Sequence, residues 1–526
     1  MTQHAPQRDG GVLATAMVTS PHSIASEAGR AVLAAGGNAI EAAIAMGAVL
    51  AVVYPHFCGL GGDAVWIVAD GEGNRTSLLG IGQAAAALQG IEGTVPTRGP
   101  LSALTTACAV DSWGKAYEFS KIRWAGGHPW SSLLEPAIDL AERGFPVSSS
   151  QSFWLDYRRA EWSDWPGFAE LFGSAGEAGS PFKQPRLARA LSQIAAEGAR
   201  SFYEGDLAQR IAAALREAGS PIRASDLERT ATRMADLESV DYRGLTLLAP
   251  TAPTQGVTTL SIMATLEKLS IDAVEEGSAD FYHLIVEAIK QAFLERNLIG
   301  DPDYHAFDGS MLSEAAIVRK AAAIDRQKAL PWARKFTTGD TVFFAAHDRQ
   351  GRSVSVLQSI YFDWGSGVVA GDTGILWQNR GAAFARAGQP VNGLRSAARP
   401  FYTLNPGLAL KNGRPHLLYG TQGADGQPQT LATLLVRLID HNLSPAEALA
   451  APRFLLGRTF SDSRDNLKLE EAIPAGTLKQ LGAMGHETAL LPAHSPLCGL
   501  AGIIRVNDDG VVGAHDPRGD GCAVGV

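Results

Sequence analysis

Apolar residues recur at helical spacing through most of the first 330 positions, then give way to period-two alternation after position 340. Ser23 to Ala35 predicts a helix stopped by Gly36-Gly37. Asn38 follows, with Glu41 three residues on, the spacing of a capping box. The helix it starts must end near Tyr54, because Pro55 disfavours helix at the residue before it. The apolar run inside it, 42–54, has 13 residues. A membrane span needs about 20, so the run predicts a buried helix. Ala64 to Ala69 and Tyr242 to Ala249 predict strands. Leu133 to Arg143, Arg186 to Ala196, Leu207 to Glu217 and Phe281 to Asn297 predict helices.

Residues 324–340 lose all periodicity, mix both charges and contain Pro331 and Gly339, which predicts an exposed linker. Beyond it, Thr341 to Ala346 and the alternating Ser353 to Ile360 flank the turn His347 to Gly351 and predict a hairpin. With the turn centred on Arg349-Gln350, paired positions sum to 699 or 700, so Thr341 faces Gln358 or Ser359. A slip of one residue would move the partner to the other face. Helices before 330 and strands after 341 argue for an α+β fold.

The chain has 526 residues, a size that large mixed enzymes reach as one unit. Apolar residues at 46% and charged residues at 19% exclude disorder over most of it. A formal charge of −9 argues against nucleic acid or an anionic membrane as partner. Cys58, Cys108, Cys498 and Cys522 are too scattered for a disulfide framework and suit a reducing compartment. The polar stretch from Met1 to Gly11 has no signal-peptide pattern, so the expected location is cytoplasmic. The sequence contains no H-E-x-x-H, no paired C-x-x-C, no G-x-S-x-G and no phosphate loop, so neither metal nor cofactor is expected. Gly59-x-Gly61-x-x-Ala64 fits a relaxed dinucleotide fingerprint, but a helix precedes it and a strand follows, the reverse of what that motif needs. It reads as a turn where backbones approach closely.

The candidate chemistry lies at Gly339-Asp340-Thr341, where the linker meets the strand. A Thr hydroxyl there can attack the carbonyl of Asp340 and cut the chain. The freed α-amine of Thr341 is then a base for the same hydroxyl. Its pKa of about 7.7–8.0 suits proton transfer near neutral pH. From strand propensity alone, Thr341 would be read only as a β-former.

Many ordered segments resemble the γ-glutamyltransferases, a family of N-terminal-nucleophile hydrolases. They include SPHSIASEAGRAVLAAGGNAIEAAIA (20–45), PHFCGLGGDAVWIV from Pro55, SADFYHLIVEAIKQAFLERNLIGDPDY (278–304), Thr341 through Gly351, FDWGSGVVAGDTGILWQN (362–379), ARPFYTLNPGLAL (398–410), YGTQGAD (419–425) and LSPAEALAAPRF (443–454). The resemblance spans nearly the whole chain. It implies a four-layer αββα sandwich cut into a large subunit, 1–340, and a small one, 341–526, that share one core. It implies Thr341 as nucleophile, Ser359 as its hydroxyl partner and the N–H groups of Gly423 and Ala424 as oxyanion hole; Gln422, with Tyr361, Tyr402 and Thr403, is expected to contact the substrate. The expected partners are the two fragments themselves, a small-molecule substrate and a possible second copy of the heterodimer.

The departures from the family pattern bear on the substrate. The Arg that clamps a glutamyl α-carboxylate matches Gly82, and the acidic residue for the ammonium matches Ala383. The paired serines match Tyr402 and Thr403, and an Asn matches Tyr361. A glutamyl group would lose both charge partners, worth several kcal/mol at a buried site. Bulky Tyr361, Tyr402 and Trp364 are expected to narrow the pocket, and Arg399 to supply a cation. The branch most resembled is intracellular and splits oxamate into oxalate and ammonia in purine-nitrogen salvage. The alternatives are a cephalosporin or glutaryl acylase, a γ-glutamyl hydrolase or transferase, and, outside enzymes, an uncleaved relative that only binds.

Overall fold

The computed structural model describes residues 14–91, 93–332, 341–385, 388–459 and 462–526. Asp340 and the last part of the expected linker, 333–340, lie outside the described residues.

Two antiparallel sheets carry the fold. The larger has seven strands in the order Cys522–Gly525, Met17–Ser20, Val342–His347, Ser353–Ser359, Asp63–Ala69, Arg75–Gly80, Arg233–Ala235. The second has six, Gly510–His515, Ala501–Asn507, Arg414–Thr421, Gly407–Lys411, Leu245–Pro250, Leu237–Tyr242. Each sheet combines strands from before and after position 341.

Period-two alternation sorts each strand between two environments. Val65, Ile67, Phe343, Ala345 and Leu357 of the larger sheet pack with Leu248, Leu408, Leu418 and Ile504 of the second. The intervening Trp66, Val68, Phe344 and Val356 face the helices Ser23–Ala34, Ala39–Val53 and Ala109–Arg123. The far side of the second sheet, with Leu247, Ala409, Leu417 and Ile503, is covered by Gly256–Glu267, Ala279–Glu295 and Gln427–Ile439. Ala39–Val53 is buried at every position, which is why it reads as an unbroken apolar run; Asn38 and Glu41 close its capping box.

The hairpin register pairs His347 with Ser353 and Val342 with Gln358, a constant sum of 700 that places Thr341 beside Ser359. Two expectations change. Tyr242 to Ala249 is not one strand; a tight turn at Arg243 and Gly244, with φ of 48° and 78°, separates two paired strands. The helix expected to reach Asn297 ends at Glu295 and tightens into a 3-10 turn. Among the described residues no helix is long and apolar enough to cross a membrane.

Candidate active site

Thr341 is buried at 1% exposure, and its Oγ1 donates to Ser359 Oγ at 3.1 Å. Ser359 Oγ also accepts the backbone N–H of Tyr361 at 2.8 Å. The Gly-rich turn explains how this corner closes. A Cβ on Gly62 would meet the Ser359 carbonyl oxygen at 2.3 Å, and one on Gly61 the Leu376 carbonyl oxygen at 2.2 Å. Only glycine permits such approach. Phe343 lies against Gly420 and Gly502, tying the strand that follows Thr341 to the strand that leads to Gly423.

Gly423 and Ala424 follow that strand with φ of 118° and 41°. Gln427–Ile439 starts three residues after Ala424 and places its positive end beside this turn. Gln255, which sequence reasoning missed, fastens the turn: its Nε2 donates to the carbonyls of both Ala424 and Thr403 at 2.7 Å. Arg296 Nε donates to Gln255 Oε1 at 3.1 Å, and Arg296 also pairs with Asp425. Gln422 and Gly423 line a cavity of about 850 Å³ together with Phe153, Trp154, Phe362 and Leu491.

The substrate-side expectations divide. Arg399 does not fit the role of substrate cation: its Nη2 is held by Asp301 at 2.5 Å and Asp303 at 3.1 Å, so it is a structural ion pair. Trp364 does not narrow a pocket either; it is fully buried against Phe168 and Phe172. Tyr361 and Tyr402 do come together, both against a cation that sequence reasoning passed over. The Arg380 guanidinium lies 3.9 Å from the Tyr361 ring centroid and 4.3 Å from that of Tyr402. Its Nη1 donates to Thr403 Oγ1 at 3.3 Å. The only hint was its place in QNRGAAF, three residues from Ala383.

Gly82 holds more than an absent arginine. Its N–H donates to Asp63 Oδ1 at 2.9 Å, and a Cβ would stand 1.7 Å from the Thr106 carbonyl oxygen. No side chain fits there without moving backbone. Gly82→Ala is expected to lower stability by more than about 2 kcal/mol in urea unfolding; a loss under 0.5 kcal/mol, within the range of a neutral surface change, would refute this packing.

Asp63 is a second buried feature outside the expected set. Oδ1 also accepts the Cys108 N–H at 2.9 Å, and Oδ2 accepts the Tyr402 hydroxyl. Burial raises its pKa from 3.8 to about 6, against the opposing pull of Tyr402 and Arg380. The folded chain therefore keeps a proton between pH 4 and 6 that the unfolded chain has shed. Stability from this group is present below pH 4 and is lost as pH rises through 6, by about 3 kcal/mol. Asp63→Asn is expected to flatten that part of the stability–pH curve, read by urea midpoints at pH 4, 5, 6 and 7. An unchanged slope would place the proton elsewhere.

Among the described residues one His/Glu group, His283, Glu287 and His486, is close enough to hold a metal ion. Its atoms are already partnered: His283 Nδ1 with His486 Nε2 at 2.8 Å, and Glu287 Oε1 with the Lys290 ammonium at 2.7 Å. A cation in this group would face the lysine charge.

Fold and site together define an enzyme of the amide-hydrolase class. The gamma-glutamyltranspeptidase family model matches residues 25–526, and the chain belongs to that family. It is 40% identical to an oxamate amidohydrolase proenzyme of Klebsiella pneumoniae, over 97% of this chain and 98% of that one. It is 38% identical to a glutathione hydrolase-like YwrD proenzyme of Bacillus subtilis, with the same coverage. The crystal structure of a cephalosporin acylase from Bacillus halodurans superposes with a TM-score of 0.90 at 28% identity, covering 100% of this chain and 98% of that one.

Proposed function

We propose that the chain is a self-processing amidohydrolase that converts oxamate, or a similarly small anionic amide, into a carboxylate and ammonia. The observation that carries this reading is the 3.1 Å contact between Thr341 Oγ1 and Ser359 Oγ at the start of the hairpin. In the first reaction the Thr341 oxygen bonds to the Asp340 carbonyl carbon. The peptide C–N bond breaks and its nitrogen takes the hydroxyl proton. This leaves the Thr341 α-amine free; water then hydrolyses the ester, releasing the Asp340 carboxyl and restoring the Thr341 hydroxyl. Fragments 1–340 and 341–526 stay interlocked as one four-layer αββα core, since both sheets draw strands from each.

In the second reaction the α-amine takes the Thr341 hydroxyl proton while the oxygen attacks the substrate amide carbon. The N–H groups of Gly423 and Ala424 hold the oxyanion, each donor lowering the barrier by roughly 3–4 kcal/mol. Ammonia departs with the proton, and water hydrolyses the acyl-Thr341 ester with the same amine as base. Oxamate is favoured over γ-glutamyl amides because Gly82 admits no side chain and Ala383 carries no charge. The 40% identity to the oxamate amidohydrolase points the same way. Four unpaired cysteines suit work in the cytoplasm.

The cavity at Gln422 and Gly423 favours a second reading, an acylase that releases a bulkier amine than ammonia. One panel separates them: amine release from oxamate, glutaryl amides and γ-glutamyl anilides. Oxamate should lead. Faster release from a glutaryl amide would favour the acylase, and from a γ-glutamyl anilide would overturn the argument from Gly82 and Ala383.

A further inference from the structure

Arg380 is fully buried, yet its Nε and Nη2 have no hydrogen-bond partner among the described residues. An unsatisfied buried donor costs about 1–3 kcal/mol, and more when it is charged. The available carboxylate is Asp63, but its two oxygens already serve Gly82, Cys108 and Tyr402. The rings of Tyr361 and Tyr402 both pack against the guanidinium, and Thr403 Oγ1 accepts from Nη1. The free edge, Nε with Nη2, is the edge that grips a carboxylate with two parallel hydrogen bonds.

This edge belongs to the nucleophile's surroundings. One ring against Arg380 is that of Tyr361, whose N–H donates to the same Ser359 Oγ that accepts the Thr341 hydrogen bond. We propose that Arg380 is the carboxylate receptor of the substrate, with Tyr361 and Tyr402 as the walls that fix its plane. The inference rests on the reading of Thr341 as an amide-cleaving nucleophile. It gives the substrate a class: the monoamide of a short dicarboxylic acid, its free carboxylate on Arg380 and its amide carbon at Thr341.

The test uses the self-cleaved enzyme, with Arg380→Met and Arg380→Lys beside wild type. Ammonia release is measured from oxamate and from its uncharged isostere 2-oxopropanamide, and binding of oxalate is read as a rise in melting temperature. In Arg380→Met, kcat/KM for oxamate should fall at least about 100-fold. The loss for 2-oxopropanamide should be at least tenfold smaller. Oxalate should stabilise wild type but not this variant. Should Arg380→Met fail to fold or cleave itself, Arg380→Lys decides, because it keeps the charge and loses the fork. It should lose about tenfold or more on oxamate. Equal losses on both amides, or oxalate binding that survives both substitutions, would overturn the proposal and leave the function standing. Wild type that ignores oxamate yet binds oxalate through Arg380 would overturn the substrate and leave the receptor. Oxalate binding to none of the three would remove the receptor.

Discussion

Thr341→Ala is expected to run as one chain of 55.4 kDa on a denaturing gel, where wild type should give fragments of 340 residues and, from a total of 526, 186. Alanine keeps the buried corner filled but has no oxygen to attack the Asp340 carbonyl. Without that attack no α-amine is freed, so nucleophile and base disappear together. Amidase activity should fall by at least about 10⁴-fold, as when a nucleophile is removed elsewhere. Thr341→Ser should still cleave, because it keeps the hydroxyl that faces Ser359 at 3.1 Å in the parent chain. N-terminal sequencing of the small fragment must begin at Thr341. A start at Thr337 or Thr338, or cleavage of the alanine variant, would move the nucleophile elsewhere.

What could be seen in the sequence was local. The capping box at Asn38 and Glu41 needs three residues of spacing, and it formed. The hairpin needed only a turn and two strand-forming runs, which left the sum at 699 or 700; the folded register is 700, with Thr341 beside Ser359. The strand break at Arg243 was hidden because apolar residues lie on both sides of a turn only two residues long. The site's outer parts were hidden for a different reason. Arg380 and Arg399 sit in segments without period, and nothing nearby distinguishes them. Their difference depends on Asp301 and Asp303, nearly a hundred positions before Arg399, which occupy one guanidinium and leave the other. Gln255 likewise acts on carbonyls at positions 403 and 424. Such choices are made by packing distant segments, and a single sequence carries no local trace of them.

Gly423→Ala is expected to lower kcat about 100- to 1,000-fold with KM little changed. The cause would be backbone direction, not bulk. A Cβ at this position meets nothing closer than Gly499 Cα at 3.9 Å, so space is available. The φ of 118° is the obstacle, because an L side chain there is strained and the peptide must rotate to relieve it. Rotation at 423 would turn the Ala424 N–H away from that of Gly423, and the oxyanion hole proposed for the two donors would be lost. Gln255 opposes any wholesale shift, since it pins the Ala424 carbonyl at 2.7 Å. The misdirection should therefore remain local and the fold intact. A ground-state carbonyl loses little by this, while a tetrahedral oxyanion loses its stabilisation, which is why the effect should fall on kcat. Steady-state kinetics of ammonia release by the mature variant, with its melting temperature as a check on folding, decide the matter. A folded variant with kcat within threefold of wild type would mean that the oxyanion is held by groups other than this turn.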